Sequence, residues 1–111
     1  MDDSLKFLVR GSGGNAYEVG FKRYGNNLTG TCTCRAGQMG KYCKHRFALM
    51  EGEVTNLLSE NTDDVYRLND MITGTDVEAA IEAVRIAEKA ADAAKKELSS
   101  RKKALARAMR D

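Results

Sequence analysis

The stretch TCTCRAGQMGKYCKHRFAL, Thr31 to Leu49, holds all three cysteines of a 111-residue chain and its single histidine. Cys32, Cys34, Cys43 and His45 follow one another as C-x-C, eight residues, then C-x-H. Four soft or borderline donors of these types suit tetrahedral Zn²⁺. Residues i and i+2 of an extended strand point to one face, so Cys32 and Cys34 can grip one ion from a strand end. Gly37 and Gly40 in the intervening RAGQMGKY let the chain fold back. Two residues of a helix two apart diverge by about 200°. Cys43 is therefore placed before a helix and His45 in its first turn. Other chemistries fit less well. A redox C-x-x-C is absent, and a catalytic cysteine would have to take its base from within the same ligand cluster. A catalytic zinc keeps an open position, whereas here four donors stand ready and no nearby carboxylate offers a general base. The reading is one structural zinc per chain.

Upstream of the cysteines the pattern is β. In SLKFLVR, Leu5, Phe7 and Val9 alternate onto one face. GSGGN makes a turn, and AYEVGFKRY places Tyr17, Val19 and Phe21 on one face. GNN, Gly25 to Asn27, suits a tight hairpin, and LTGTCTC, ending at Cys34, reads as a third strand. These segments predict a small antiparallel three-stranded meander.

Downstream the period becomes helical. Phe47, Met50, Val54, Leu57 and Leu58 recur at helix spacing, with Gly52 as a stop or a break between two turns. NTDDVYRLNDMITG predicts a short helix capped by Thr62 and ended by Gly74. Thr75 and Glu78 fit a capping box that opens the longest segment. From there to Arg110 no Gly or Pro interrupts a run rich in alanine. Acids lead and bases close it, which complements the helix macrodipole. The segment is either one rod or a helical hairpin broken at Ser99-Ser100. Its apolar stripe runs Val77, Ile81, Val84, Ala87, Ala91, Ala94, Leu98, Leu105 and Met109. Glu88, Lys95 and Lys102 interrupt that stripe as a strict heptad.

The fold class expected is α+β: a three-stranded meander and a helix around one zinc, then a long C-terminal helix or helical hairpin. The domain reading is a zinc-binding head over residues 1–60, a short helical connector over 61–74 and a helical arm over 75–111. Charged residues at 31 % and apolar residues at 42 % describe a soluble folded chain. No apolar run is long enough to span a bilayer, and the opening MDDSLKFLVR begins acidic, unlike a secretory signal. A cytoplasmic protein without membrane contact is expected, a compartment where persistent thiols serve as ligands more often than as disulfides. No enzyme signature is present: the Gly-rich GSGG links strands rather than a strand and a helix, and no nucleophile has a base beside it.

At these residues the chain resembles a SWIM zinc finger, the CxCx(n)CxH module. CTCRAGQMGKYCKHRFAL carries the ligand order, AYEVGFKRYGNNLTGTCTC the strands that lead into it, and the likeness covers roughly residues 5 to 58. The resemblance implies Cys32, Cys34, Cys43 and His45 as the zinc ligands, a strand-then-helix fold around the ion, and a role in DNA binding or protein–protein contact.

The charge distribution bears on that role. Formal net charge is +2, yet between Val19 and Met50 there is no acid, while Lys22, Arg23, Arg35, Lys41, Lys44 and Arg46 supply six bases. With six positive charges in that window, the remainder of the chain nets −4. Such a window is a candidate phosphate-facing surface. Tyr24 lies within it as a candidate stacking ring, and Tyr42 as a ring expected to cover the metal. Two readings stand: a small nucleic-acid-binding protein, DNA above all, with a basic zinc head; or an adaptor whose long helix mediates a homodimer or docks on a larger protein partner.

Overall fold

Alternation in the first third of the chain becomes a sheet whose buried face is built one strand at a time. The computed structural model describes residues 3–110. Strands β1 (Asp3–Arg10), β2 (Ala16–Tyr24) and β3 (Asn27–Cys32) form an antiparallel meander in the order β1-β2-β3. The registers Phe7↔Val19 and Val19↔Cys32 set three residues side by side across the sheet. Directly paired residues share a face, so Cys32 lies on the same face as Phe7 and Val19, and all three are buried. The metal-ligand cluster is thus a continuation of the core. Phe7 and Phe21 meet edge to face with centroids 6.1 Å apart, a favoured aromatic geometry. The β2–β3 turn has two residues, Gly25 and Asn26, and Gly25 takes φ +58°, which a side chain rarely tolerates.

Four helices follow: α1 (Arg35–Gln38), α2 (Lys44–Met50), α3 (Asp63–Ile72) and α4 (Asp76–Ala108). The third strand ends two residues earlier than the sequence pattern suggests. Cys34 is the N-cap of α1, a turn of helix that the RAGQMGKY segment was not expected to form. The backbone stays extended through Cys34 all the same (φ −66°, ψ 161°), and Thr33 still pairs with Glu18 through Thr33 N–H to Glu18 carbonyl and Glu18 N–H to Thr33 Oγ1. The same-face argument for Cys32 and Cys34 therefore holds without a strand ladder beneath it. Helix α2 stops at Met50, with Gly52 at φ +86° just beyond, and no helix follows over 53–61.

Residues 56–61 instead run along the open edge of β1. Arg10 N–H donates to Asn56 O (2.8 Å), Leu58 N–H to Leu8 O (2.7 Å), Leu8 N–H to Ser59 Oγ (3.0 Å), and Asn61 Nδ2 to Lys6 O (2.9 Å). An edge strand whose polar groups are satisfied this way is no template for further pairing. Helix α3 buries Val65, Leu68, Met71 and Ile72, one face at helical spacing. The stretch read as a connector therefore supplies core. Thr62 makes no side-chain cap. The preceding Asn61 ties down the first turn: its backbone carbonyl accepts from Asp64 N–H, and its side-chain amide donates to the Asp64 carboxylate.

The compact unit extends through Glu78. Arg23 fastens the α3–α4 turn to the β2–β3 hairpin. Its guanidinium donates to the carbonyls of Gly25 (2.7 Å), Met71 (3.1 Å) and Thr73 (2.8 Å). At the start of α4, Asp76 Oδ1 accepts from Leu28 N–H (3.1 Å) and Asp76 N–H donates to Asn26 O (3.0 Å). The expected Thr75–Glu78 capping box is not formed. The Thr75 hydroxyl is buried and donates to Ile72 O (2.6 Å), while Glu78 N–H meets the Thr75 carbonyl (3.2 Å). Burial decides this difference, since a buried hydroxyl takes the nearest free carbonyl.

A second unit begins at Ala79. Within it α4 continues to Ala108 as a single helix with no break at Ser99-Ser100, which removes the hairpin alternative. Its 33 residues make a rod of about 50 Å at about 1.5 Å per residue. From Glu82 to Arg110 all residues are exposed except Val84, which is half-buried. Among the described residues no helix is long and apolar enough to cross a membrane.

Candidate metal centre

The four ligand residues come from three local structures that meet at one point. Cys32 ends β3, Cys34 caps α1, Cys43 caps α2, and His45 is the second residue of α2. One donor atom from each lies within 4.8 Å of all the others. Cys34 Sγ and Cys43 Sγ are 3.4 Å apart, Cys43 Sγ and His45 Nδ1 3.5 Å, Cys32 Sγ and His45 Nδ1 3.8 Å. Ordinary Zn–S and Zn–N bond lengths give tetrahedral edges of about 3.8 Å between sulfurs and about 3.6 Å between sulfur and nitrogen. The donor set and its spacing thus fit one Zn²⁺. All three cysteines are buried and none is in a disulfide.

Backbone amides support the sulfurs. Cys34 N–H donates to Cys32 Sγ (3.5 Å) and Gly37 N–H to Cys34 Sγ (3.3 Å), and the Arg46 N–H favours the charged form of the Cys43 thiol. Such donors share the negative charge of a thiolate and orient it, as outer-shell partners do around metals. Gly37 has a second duty. A Cβ there would lie 2.5 Å from the Cys32 carbonyl oxygen and 2.8 Å from Cys32 Cβ. The turn between the two ligand pairs packs so closely on Cys32 that no side chain fits.

The protein groups alone do not favour three thiolates together. Burial pushes the Cys32 thiol up to about 12, against the opposing Cys34 N–H. Burial also works to raise Cys43, but the Arg46 N–H and hydrogen bonds with Cys34, His45 and Cys32 outweigh it and bring the thiol down to about 6. Ionising all three sulfurs needs a cation among them, and zinc binding must displace the Cys32 proton.

Two residues outside the ligand set shape the centre. Tyr17, half-buried on β2, sets its ring against that of His45 at 5.0 Å between centroids. Tyr42, expected over the metal, is instead 65 % exposed and leans on Phe47 at 5.7 Å. Tyr17 was legible only as a core-facing strand residue, since nothing in its spacing ties it to a histidine 28 positions later. Arg46 is the other. Its guanidinium donates to Gly30 O (2.9 Å) and to Lys41 O (2.5 Å), which locks the loop before Cys43 onto β3.

The six bases of the acid-free window therefore divide. Arg23 and Arg46 are engaged with backbone carbonyls. Lys22 places its Nζ over the Tyr24 ring at 5.1 Å, and that ring is half exposed. Arg35, Lys41 and Lys44 are exposed around the ligands: Arg35 follows Cys34 and Lys44 stands between Cys43 and His45.

Comparison with known proteins agrees with this centre. Residues 7–51 match the SWIM zinc finger family, a span that contains all four ligands. No curated protein and no solved structure matches the chain. The Cys₃His cluster and the family match support one zinc ion per chain.

Proposed function

We propose that this SWIM-type zinc module binds nucleic acid through the phosphate backbone, without reading base sequence. The placement of Arg35, Lys41 and Lys44 carries the reading. Each is exposed, and two of them are bonded directly to ligand residues in the chain. The ligand atoms they flank lie within 4.8 Å of one another, and Lys41 is two residues before Cys43. Among the described residues none of the three has a carboxylate partner. Three thiolates around a divalent cation leave one unit of negative charge, which the amide donors to sulfur already share. Cations beyond that need are available for phosphate. The role is binding rather than catalysis: four protein donors fill a tetrahedral zinc and leave no position for water or substrate.

Fluorescence anisotropy with labelled single- and double-stranded oligonucleotides tests the reading. Three phosphate contacts give a slope of log affinity against log salt of about −3 on duplex DNA. Replacing Arg35 and Lys41 together by Ala flattens that slope by about two and leaves zinc content unchanged. Absence of binding at low salt, or binding that the double substitution does not alter, contradicts it. The exposed apolar residues of α4 favour a second reading, an adaptor for a larger protein. A partner that co-purifies with the chain after nuclease treatment, with no affinity for DNA, supports that one.

A further inference from the structure

The long helix leaves Leu98 and Leu105, and the turn after it Met109, more than half exposed, and charge is split along this segment. From Asp76 to Asp92 there are five acids and two bases; from Ala93 to Arg110 there are seven bases and one acid. We infer that α4 pairs with α4 of a second copy of this chain, antiparallel, so that each acidic half lies along the basic half of its partner. A parallel pair would set acid against acid and base against base over the whole length.

A seam for such a pair exists once it is drawn through the alanines. Val77, Val84, Ala91, Leu98 and Leu105 recur every seven residues, and Ala80, Ala87, Ala94, Arg101 and Ala108 recur three positions after each. This is the apolar repeat of a coiled coil. In antiparallel register about a centre between Asp92 and Ala93, each larger residue meets a small one: Val77 faces Ala108, Leu98 faces Ala87, Leu105 faces Ala80, and Ala91 faces Ala94. Arg101 is the exception opposite Val84, and its Nε is turned to Glu97 on its own helix at 2.8 Å. Glu88, Lys95 and Lys102, which interrupt the stripe when it is drawn through Ile81 and Met109, then flank the seam. Glu88 of one helix falls beside Lys95 of the other, twice per dimer by symmetry. A strip about 50 Å long and about 10 Å wide buries roughly 1,000 Å² over both helices, at the lower bound for a specific interface. A dimer of micromolar strength follows from an alanine-rich seam of that size.

Charge exchange tests orientation and contact together. The zinc-loaded full chain is sedimented at micromolar concentration, with helix content followed by circular dichroism. The unaltered chain is expected as a dimer that weakens with salt. Glu88→Lys and Lys95→Glu each create two like-charge contacts per dimer and are expected to weaken it about tenfold. Glu88→Lys combined with Lys95→Glu restores it. These two positions are seven apart, too far to pair within one helix, so the rescue reads contact between chains. A monomer in solution overturns the inference. So does a dimer that neither single reversal weakens, or one that the double exchange fails to restore.

Discussion

The zinc head and the long helix reach order by opposite means. In the head, residues far apart in sequence must meet. Cys32 and His45 close the metal centre, Arg23 spans 48 and 50 positions to Met71 and Thr73, and residues 56–61 return to β1. In α4 beyond its first residue backbone partners lie about one turn away, and all its residues past Ile81 are exposed but half-buried Val84. Long-range contacts carry a loop-closure cost that something must offset. A core of three short strands and short helices supplies little, and a metal centre supplies the rest. The helix carries no such cost, and alanine with matched terminal charge suffices for it. One chain is therefore expected to contain a part that depends on zinc and a part that does not.

The largest effect that would break this contrast comes from a ligand. Cys34→Ser is expected to abolish zinc binding and unfold the head. Structural zinc is worth on the order of 10 kcal/mol in small domains, comparable to the entire stability of an ordinary domain at about 5–15 kcal/mol. Helical ellipticity from α4 should persist. If sheet and helix signals disappear together, the two parts are not independent in the way described. Next in size is Gly37→Ala, whose new methyl would sit 2.5 Å from the Cys32 carbonyl oxygen. Forcing an atom into such a contact costs about 1–3 kcal/mol. Chemical denaturation of the zinc-loaded protein should show that loss, with faster release of zinc to a chelator.

Much of the head was legible because ligand spacing and strand alternation are strong local signals. Cys32, Cys34, Cys43 and His45 cluster as their order implies, and the helix that carries His45 starts just after Cys43. What escaped were features decided by tertiary contact. Cys34 leaves the strand because Gly37 N–H reaches back to its sulfur and turns the chain into α1. Thr75 gives up its box because its hydroxyl is buried under the α3–α4 turn. Thr62 stands at the N-cap of α3 without a side-chain hydrogen bond, while the neighbouring Asn61 amide holds the Lys6 carbonyl of β1. No window of sequence contains both Asn61 and Lys6, 55 positions apart, and the two local contacts, at Cys34 and Thr75, turn on burial that the sequence does not display. The same holds for the bases, which look alike in sequence and differ only in what lies within their reach.

That difference among the bases sharpens the comparison at smaller magnitude. Arg46→Ala removes donors to the Gly30 and Lys41 carbonyls and should destabilise the head by about 1–3 kcal/mol. Arg35→Ala, at an exposed position without a carboxylate partner, should change stability by no more than about 0.5 kcal/mol while weakening nucleic-acid binding. Thermal unfolding and anisotropy on the same two variants separate the roles. A stability loss from Arg35→Ala as large as that from Arg46→Ala would show that the division of the bases is wrong. The smallest effect belongs to the helix. Ser100→Ala should add a few tenths of a kcal/mol to α4 by helix propensity alone, without moving the unfolding transition of the head.

Amide hydrogen exchange on the zinc-loaded chain before and after chelation tests the dependence of the head on its metal most directly. Zinc content by mass spectrometry should be one ion per chain at the start. Chelation is expected to erase protection at the sheet amides of Phe7, Val19 and Phe21, while amides in α4 beyond Glu82 exchange as before. Retained protection at those three sheet amides in protein shown to be free of zinc would contradict it.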